Sequence, residues 1–149
     1  MKVTIGKKAP AFSAKNQKNE TVSLEKYKGK KLVLYFYPKD DTPGCTAEAC
    51  DLRDNYQRFI KAGYAILGVS PDSVKKHIRF IEKYSLPFDL LADEDHVVAE
   101  AYGLWKEKSM FGVKYMGIIR TTFILNEMGI VEDIIEKVDT KAHTAQLLT

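Results

Sequence analysis

The chain has little cysteine: two residues, Cys45 and Cys50, in 149. That is too few for the disulfide framework of a small secreted domain. The three histidines, His77, His96 and His143, stand apart from each other and from the cysteines. Structural zinc needs four ligands at recognisable spacing, so no metal centre is expected. The sequence lacks a Gly-x-Gly-x-x-Gly and a P-loop, so no nucleotide cofactor is expected. No apolar run approaches the roughly 20 residues of a membrane span. The segment Met1–Lys8 lacks the apolar core of a signal peptide. A reducing, cytoplasmic setting follows as the expectation, and there a permanent disulfide staple is out of place. The cysteines are then inert, metal-binding or reactive. Dense positive charge is missing too. The 23 Lys and Arg against 20 Asp and Glu leave a formal net charge of +3, and the stretches at Lys28–Lys31 and Lys75-Lys76 are short or interrupted. Nucleic-acid binding favours a clustered basic face and is not expected. Repeats, low-complexity tracts and Pro/Gly/Ser linkers are also missing, which leaves a single domain over 1–149.

Against these absences stands an ordinary globular composition, 45% hydrophobic and 29% charged, enough to bury a core without staples. Residues 12–24 read as a β-hairpin with a polar turn. Lys31–Tyr37 is an apolar run stopped by Pro38 and predicts a buried central strand. Residues 43–62 predict a helix ended by Gly63, and Ala65–Ser70 a second buried strand. Residues 72–84 predict a helix with Val74, Ile78, Ile81 and Tyr84 on its apolar face. A short helix is expected over 95–102. Thr121–Leu125 and Ile130–Ile135 flank Asn126–Gly129 as a second hairpin, and the tail from Thr140 reads as a closing helix. This order implies an α/β fold around a mixed sheet.

Chemistry concentrates in Pro38-Lys39-Asp40-Asp41-Thr42-Pro43-Gly44-Cys45. Thr42 suits an N-cap and Pro43 the first helical position. Cys45 then falls in the first turn, where unpaired N–H groups and the helix dipole favour a thiolate, the reactive form of cysteine. Asp40 and Asp41 would oppose that charge and are expected to face water, where screening weakens them. Cys50 lies five positions on. On an intact helix the two Cα atoms would be about 8.6 Å apart, beyond the roughly 7 Å limit for a disulfide. If the pair reacts, the first turns must unwind. Glu48 and Arg53 are read as helix surface, Trp105 as a core or rim aromatic, and Phe80, Leu86 and Phe88 as core.

Pro38, Thr42 and Cys45 match the Pro-x-x-x-Thr-x-x-Cys motif of peroxiredoxins. Cys45-Thr46-Ala47-Glu48-Ala49-Cys50 resembles the Q-type subgroup, also called bacterioferritin comigratory proteins. The likeness extends through Tyr35–Asp40, Val69–Ser73, Lys83–Phe88, Tyr102–Trp105 and Arg120–Leu125, nearly the whole chain. The resemblance implies a thioredoxin-like fold with a central mixed sheet, flanking helices and an extra N-terminal hairpin. It implies that the strand from Arg120 runs antiparallel to the strand ending at Pro38, bringing Arg120 near Cys45. It further implies a thiol-dependent peroxidase, reducing hydrogen peroxide and organic hydroperoxides without flavin, haem or metal. Cys45 would be the peroxidatic nucleophile and Cys50 the resolving cysteine of an intramolecular disulfide. Arg120 would stabilise the thiolate and polarise the peroxide, Thr42 would orient both, and Pro38 would shield them from water. The backbone amides of Gly44 and Cys45 would add donors for the substrate. Thioredoxin, or glutaredoxin, would be the reductant. The chain ends without the C-terminal extension of typical two-cysteine members, which favours an intramolecular disulfide over one bridging two subunits, and a monomer is expected. A protein thiol–disulfide oxidoreductase and a peroxide sensor are the alternative readings.

Overall fold

The computed structural model describes residues 3–148. Met1, Lys2 and Thr149, part of the expected 1–149 domain, lie outside the described residues. The first expected hairpin forms as β1 (Ser13–Asn16) and β2 (Thr21–Ser23), paired antiparallel. The Asn16 side-chain oxygen closes its turn, accepting the N–H groups of Lys18 and Glu20 at 2.9 and 3.0 Å. A one-turn 3-10 helix, Leu24–Tyr27, leads into β3 (Lys31–Phe36).

The helix expected over 43–62 is two helices, α1 (Pro43–Asp54) and α2 (Tyr56–Lys61). They part at Asn55, whose side-chain amide donates to the Asp51 carbonyl at 2.8 Å and so leaves the helical path. Next come β4 (Tyr64–Ser70) and α3 (Val74–Tyr84), the latter capped by the Ser73 side chain, which accepts from the Lys76 N–H. The buried residues of α3 are His77 and Phe80, while Ile78 is exposed. The expected apolar face is therefore rotated, because the buried histidine has polar partners waiting inside the fold. Two elements were not anticipated. One is β5 (Asp89–Ala92), four residues long and buried at its centre. After α4 (Val97–Ala101) comes the other, a hairpin of β6 (Trp105–Met110) and β7 (Val113–Ile118). Its strands carry no apolar alternation, and their residues are mostly exposed. Phe111 and Gly112 form its tip, both at positive φ (51° and 79°), the signature of a two-residue type I′ turn. Finally β8 (Thr121–Leu125) and β9 (Val131–Ile135) form the expected second hairpin, and α5 (His143–Leu147) closes the chain.

The main sheet has seven strands in the order β2-β1-β5-β4-β3-β8-β9. Strands β3, β4 and β5 run parallel, and the others join antiparallel. Alternation along the central strands splits the core in two. Leu32, Leu34, Phe36, Leu67, Val69, Phe123 and Leu125 face α4 and the N-terminal segment. Val33, Tyr35, Ile66, Leu90 and Ile124 face α1, α2, α3 and α5. Thus α1 lies on the sheet with its N-terminus at the end of β3. No helix among the described residues is long and apolar enough to cross a membrane.

Candidate active site

The Pro38–Thr42 loop links β3 to α1. Thr42 has the extended backbone of an N-cap, but its hydroxyl does not cap. It donates backward to the Lys39 carbonyl at 2.9 Å, bracing the loop instead. The first bond of α1 runs from the Thr46 N–H to the Thr42 carbonyl at 2.8 Å. The N–H groups of Gly44 and Cys45 therefore have no backbone acceptor among the described residues, as expected of a first helical turn. Cys45 projects inward and is 1% exposed.

Register brings a cation to this thiol. In the antiparallel β3–β8 pair Phe36 stands opposite Thr121. Arg120, one residue before β8, thereby comes level with the loop leaving β3. Its Nη2 donates to Cys45 Sγ at 3.2 Å across 75 residues of chain. Its Nη1 donates to Glu48 Oε1 at 2.6 Å. Gly44 makes room for this fork, since a Cβ there would meet Arg120 Nη2 at 3.3 Å.

Glu48 is not helix surface: it is fully buried. Cys45, Glu48, Ala49 and Leu52 follow the i, i+3, i+4, i+7 spacing of one helical face, so the signal was present in the sequence. Burial pushes the Glu48 carboxyl up to about 7, against the opposing pull of Arg120. Its Oε2 has no hydrogen-bond partner among the described residues and faces His143 Nε2 at 3.5 Å. His143 is fully buried at the start of α5, and burial holds it below the ordinary imidazole range. Nothing local in the sequence marked His143 as a neighbour of Glu48.

Asp40 also departs from expectation. It is buried, not facing water. Its carboxylate accepts from the Tyr37 hydroxyl at 2.5 Å and lies 2.6 Å from His77 Nδ1. His77 Nε2 reaches the Leu91 carbonyl at 2.8 Å, which requires Nε2–H. One proton therefore lies between His77 Nδ1 and Asp40, and the charge that would oppose a thiolate is matched. The Asp40 N–H is bound by Asp72 at 2.8 Å. Asp41 does face solvent. Hydrogen bonds from Lys83 (2.7 Å) and Tyr84 (2.8 Å) hold its carboxyl below the usual range. The loop is thus tied to α3 at two successive residues.

Cys50 is half-buried on the same unbroken α1, and both thiols are free. The helix holds the two cysteines too far apart to bond, as helical geometry requires. The structure thus brings Cys45, Arg120, Thr42, Pro38 and Gly44 to one end of the sheet, and leaves Cys50 further along α1. Trp105 is a rim aromatic, stacked on His96 with ring centroids 3.9 Å apart. Phe80, Leu86 and Phe88 are core.

The chain resembles proteins of known kind. The AhpC/TSA family pattern matches residues 5–134. Peroxiredoxin Bcp of Bacillus subtilis is 51% identical over 148 residues, 99% of this chain and 94% of that one. Among solved structures, PrxQ of Xylella fastidiosa superposes with a TM-score of 0.91 at 31% identity, covering 98% of this chain and 93% of that one. The bacterioferritin comigratory protein of Xanthomonas campestris, described with alkyl peroxide reduction activity, matches at a TM-score of 0.86 and 39% identity, covering 92% and 87%. The fold is accordingly the thioredoxin-like fold of peroxiredoxins, with its mixed sheet and flanking helices. With matches of this extent, the chain belongs to the AhpC/TSA family as a peroxiredoxin of the Bcp, or Q-type, branch, a peroxide-reducing oxidoreductase.

Proposed function

We propose that Cys45 is the peroxidatic residue and that the enzyme runs an intramolecular two-cysteine cycle. The observation that carries this reading is the 3.2 Å contact from Arg120 Nη2 to Cys45 Sγ. An always-charged donor at that distance stabilises a thiolate through a charge-assisted bond. Low basicity alone would make the thiolate available but less nucleophilic. Donors aimed at the peroxide oxygens are needed as well. Arg120 and the free N–H groups of Gly44 and Cys45 supply them. Thr42 orients the substrate, and Pro38 keeps water from the sulfur.

The thiolate attacks the terminal peroxide oxygen, and the O–O bond breaks. Cys45 becomes a sulfenic acid, and water or an alcohol leaves after taking up a proton. The first turns of α1 then unwind. The Cys50 sulfur displaces the sulfenic hydroxyl, and water departs as the S–S bond forms. An external dithiol protein, thioredoxin or glutaredoxin, returns two electrons and two protons. Hydrogen peroxide and organic hydroperoxides are the proposed substrates, the latter supported by the activity described for the Xanthomonas relative. The protein works as a monomer in a reducing, cytoplasm-like compartment.

The test is the intact mass of reduced protein after one equivalent of hydrogen peroxide, with peptide mapping. The cycle predicts loss of two hydrogens and a Cys45–Cys50 link within one chain. A bridge between two chains would overturn the intramolecular step. Undiminished peroxide turnover by Cys45→Ser would overturn the assignment of the nucleophile.

A further inference from the structure

Behind Arg120 lies a buried pair with no stated role. His143 Nδ1 is 2.7 Å from Gln146 Oε1. The orientation of Gln146 is set by its other bonds: Oε1 accepts the Asp139 N–H and Nε2 donates to the Lys137 carbonyl, both at 2.9 Å. His143 Nδ1 must therefore carry the hydrogen. In the neutral ring Nε2 is then a bare acceptor, taking the Thr122 hydroxyl at 2.8 Å. That same Nε2 faces Glu48 Oε2 at 3.5 Å, with both side chains at 0% exposure. With its lone pair engaged by Thr122, Nε2 offers Oε2 no hydrogen, so an ionised Glu48 would leave a fully buried carboxylate oxygen without a donor among the described residues. A neutral Glu48 carboxyl avoids that uncompensated buried charge, and burial favours the neutral form of both groups.

We propose that Glu48, supported by His143, is a proton store that keeps the charge of the peroxidatic centre constant through the first oxidation. The inference rests on Cys45 being the oxidised residue. The charged and titratable groups facing Glu48 are Asp51 from α1, Arg120 just before β8, Tyr35 from β3 and His143 from α5, and the Arg120 fork links Glu48 to Cys45. Arg120 is the one permanent cation among them. While Cys45 is a thiolate, its negative charge balances Arg120, and Glu48 stays protonated. When the sulfur takes the peroxide hydroxyl, it loses that charge. Arg120 is left facing Glu48 alone, and the carboxyl ionises. The electron pair of the broken O–O bond leaves on the alkoxide or hydroxide, which takes up one proton as Glu48 gives one up. Sulfur is oxidised by two electrons, the peroxide is reduced by two, and the solvent's proton count is unchanged. His143 is here a positioning residue. Its fixed tautomer withholds a hydrogen-bond donor from Oε2, which favours the neutral carboxyl, and it does not touch the substrate.

The test uses the full chain with Cys50→Ser, so that oxidation stops at the sulfenic acid with α1 intact. Infrared difference spectra are taken before and after one equivalent of hydrogen peroxide, and Cys45 oxidation is followed by mass. The expected result is loss of one protonated-carboxyl band for each oxygen gained at Cys45. That band should be absent when Glu48→Gln is added and shifted in frequency when His143→Gln is added instead. The His143 variant serves alone if Glu48→Gln fails to fold. An oxygen gained at Cys45 with no change in any carboxyl band would overturn the proton store and leave the peroxidase reading standing. No oxygen at Cys45 would take down both.

Discussion

Arg120 holds two acceptors at once, Cys45 Sγ and Glu48 Oε1. Lysine could keep the charge but not the fork. Arg120→Lys is expected to lower kcat/KM for peroxide about 100-fold, the usual cost of one lost donor at a reacting centre. Stopped-flow oxidation of the reduced variant measures it. Glu48 makes a separate prediction through its buried carboxyl, raised from 4.5 to about 7 by burial. The folded state holds this proton where the unfolded state has released it. The resulting stability is complete below the ordinary carboxyl range and is lost as pH rises through about 7. The difference in unfolding free energy between the wild type and Glu48→Gln should therefore change by about 3 kcal/mol across that window. Chemical denaturation at several pH values reads it, and a pH-independent difference would contradict the raised carboxyl. The place of Cys45, in the first helical turn after Thr-Pro, was legible in the sequence because that signal is local. Glu48 was legible in principle from spacing, but its charge argued for surface. His143 and His77 were not legible, because their partners, Glu48 and Asp40, come from distant segments.

Helix α1 must change shape for the cysteines to meet, and its attachments limit how far. Its first turn holds on through Cys45 and Arg120, contacts that oxidation of the sulfur weakens. Further along, Asp51 is pinned from α5: the Thr144 N–H donates to its carboxylate at 2.6 Å and the Thr144 hydroxyl to its carbonyl at 3.3 Å. Upstream, the loop is tied to α3 through Asp40 and Asp41. Unwinding should therefore be bounded by Thr42 and Asp51. Hydrogen exchange of the oxidised protein should show lost protection from Thr46 to Asp54, whose N–H groups bond to the carbonyls of residues 42–50, and retained protection in α2. Loss extending through α2 would contradict the pin. The same local view explains what the sequence reading joined wrongly. Residues 43–62 keep helical composition throughout, and only the Asn55 side chain bonding to Asp51 reveals the break.

On the scale of the whole molecule, six of the seven strands of the main sheet were readable because apolar runs and hairpin turns are strong signals, and the four-residue β5 was not. The β6–β7 hairpin was not readable, since it packs little and so has no pattern to display. Its Phe-Gly turn is also not among the usual hairpin pairs. The division of labour has a thermodynamic consequence. The Cys45–Cys50 bond closes a loop of only six residues, worth about 2 kcal/mol of denatured-state entropy. Forming it withdraws buried Cys45, Glu48 and Ala49 and frees Arg120 from its sulfur. The oxidised protein should melt below the reduced one, by about 2–4 °C for each kcal/mol of net loss. Calorimetry with and without a reductant decides the sign.

The exposed turn of the β6–β7 hairpin has one more implication. Phe111 is 99% exposed at a two-residue tip, a site open to a protease that cuts after large apolar residues. A single cut there would place Cys45 and Arg120 on separate polypeptides. The β3–β8 ladder, pairing Leu32–Phe36 with Thr121–Leu125 in the centre of the sheet, would still hold them together. The chain is in effect already arranged as two complementary fragments, a larger one bearing Cys45 and a smaller one bearing Arg120, that could be expressed apart and reassembled into one enzyme.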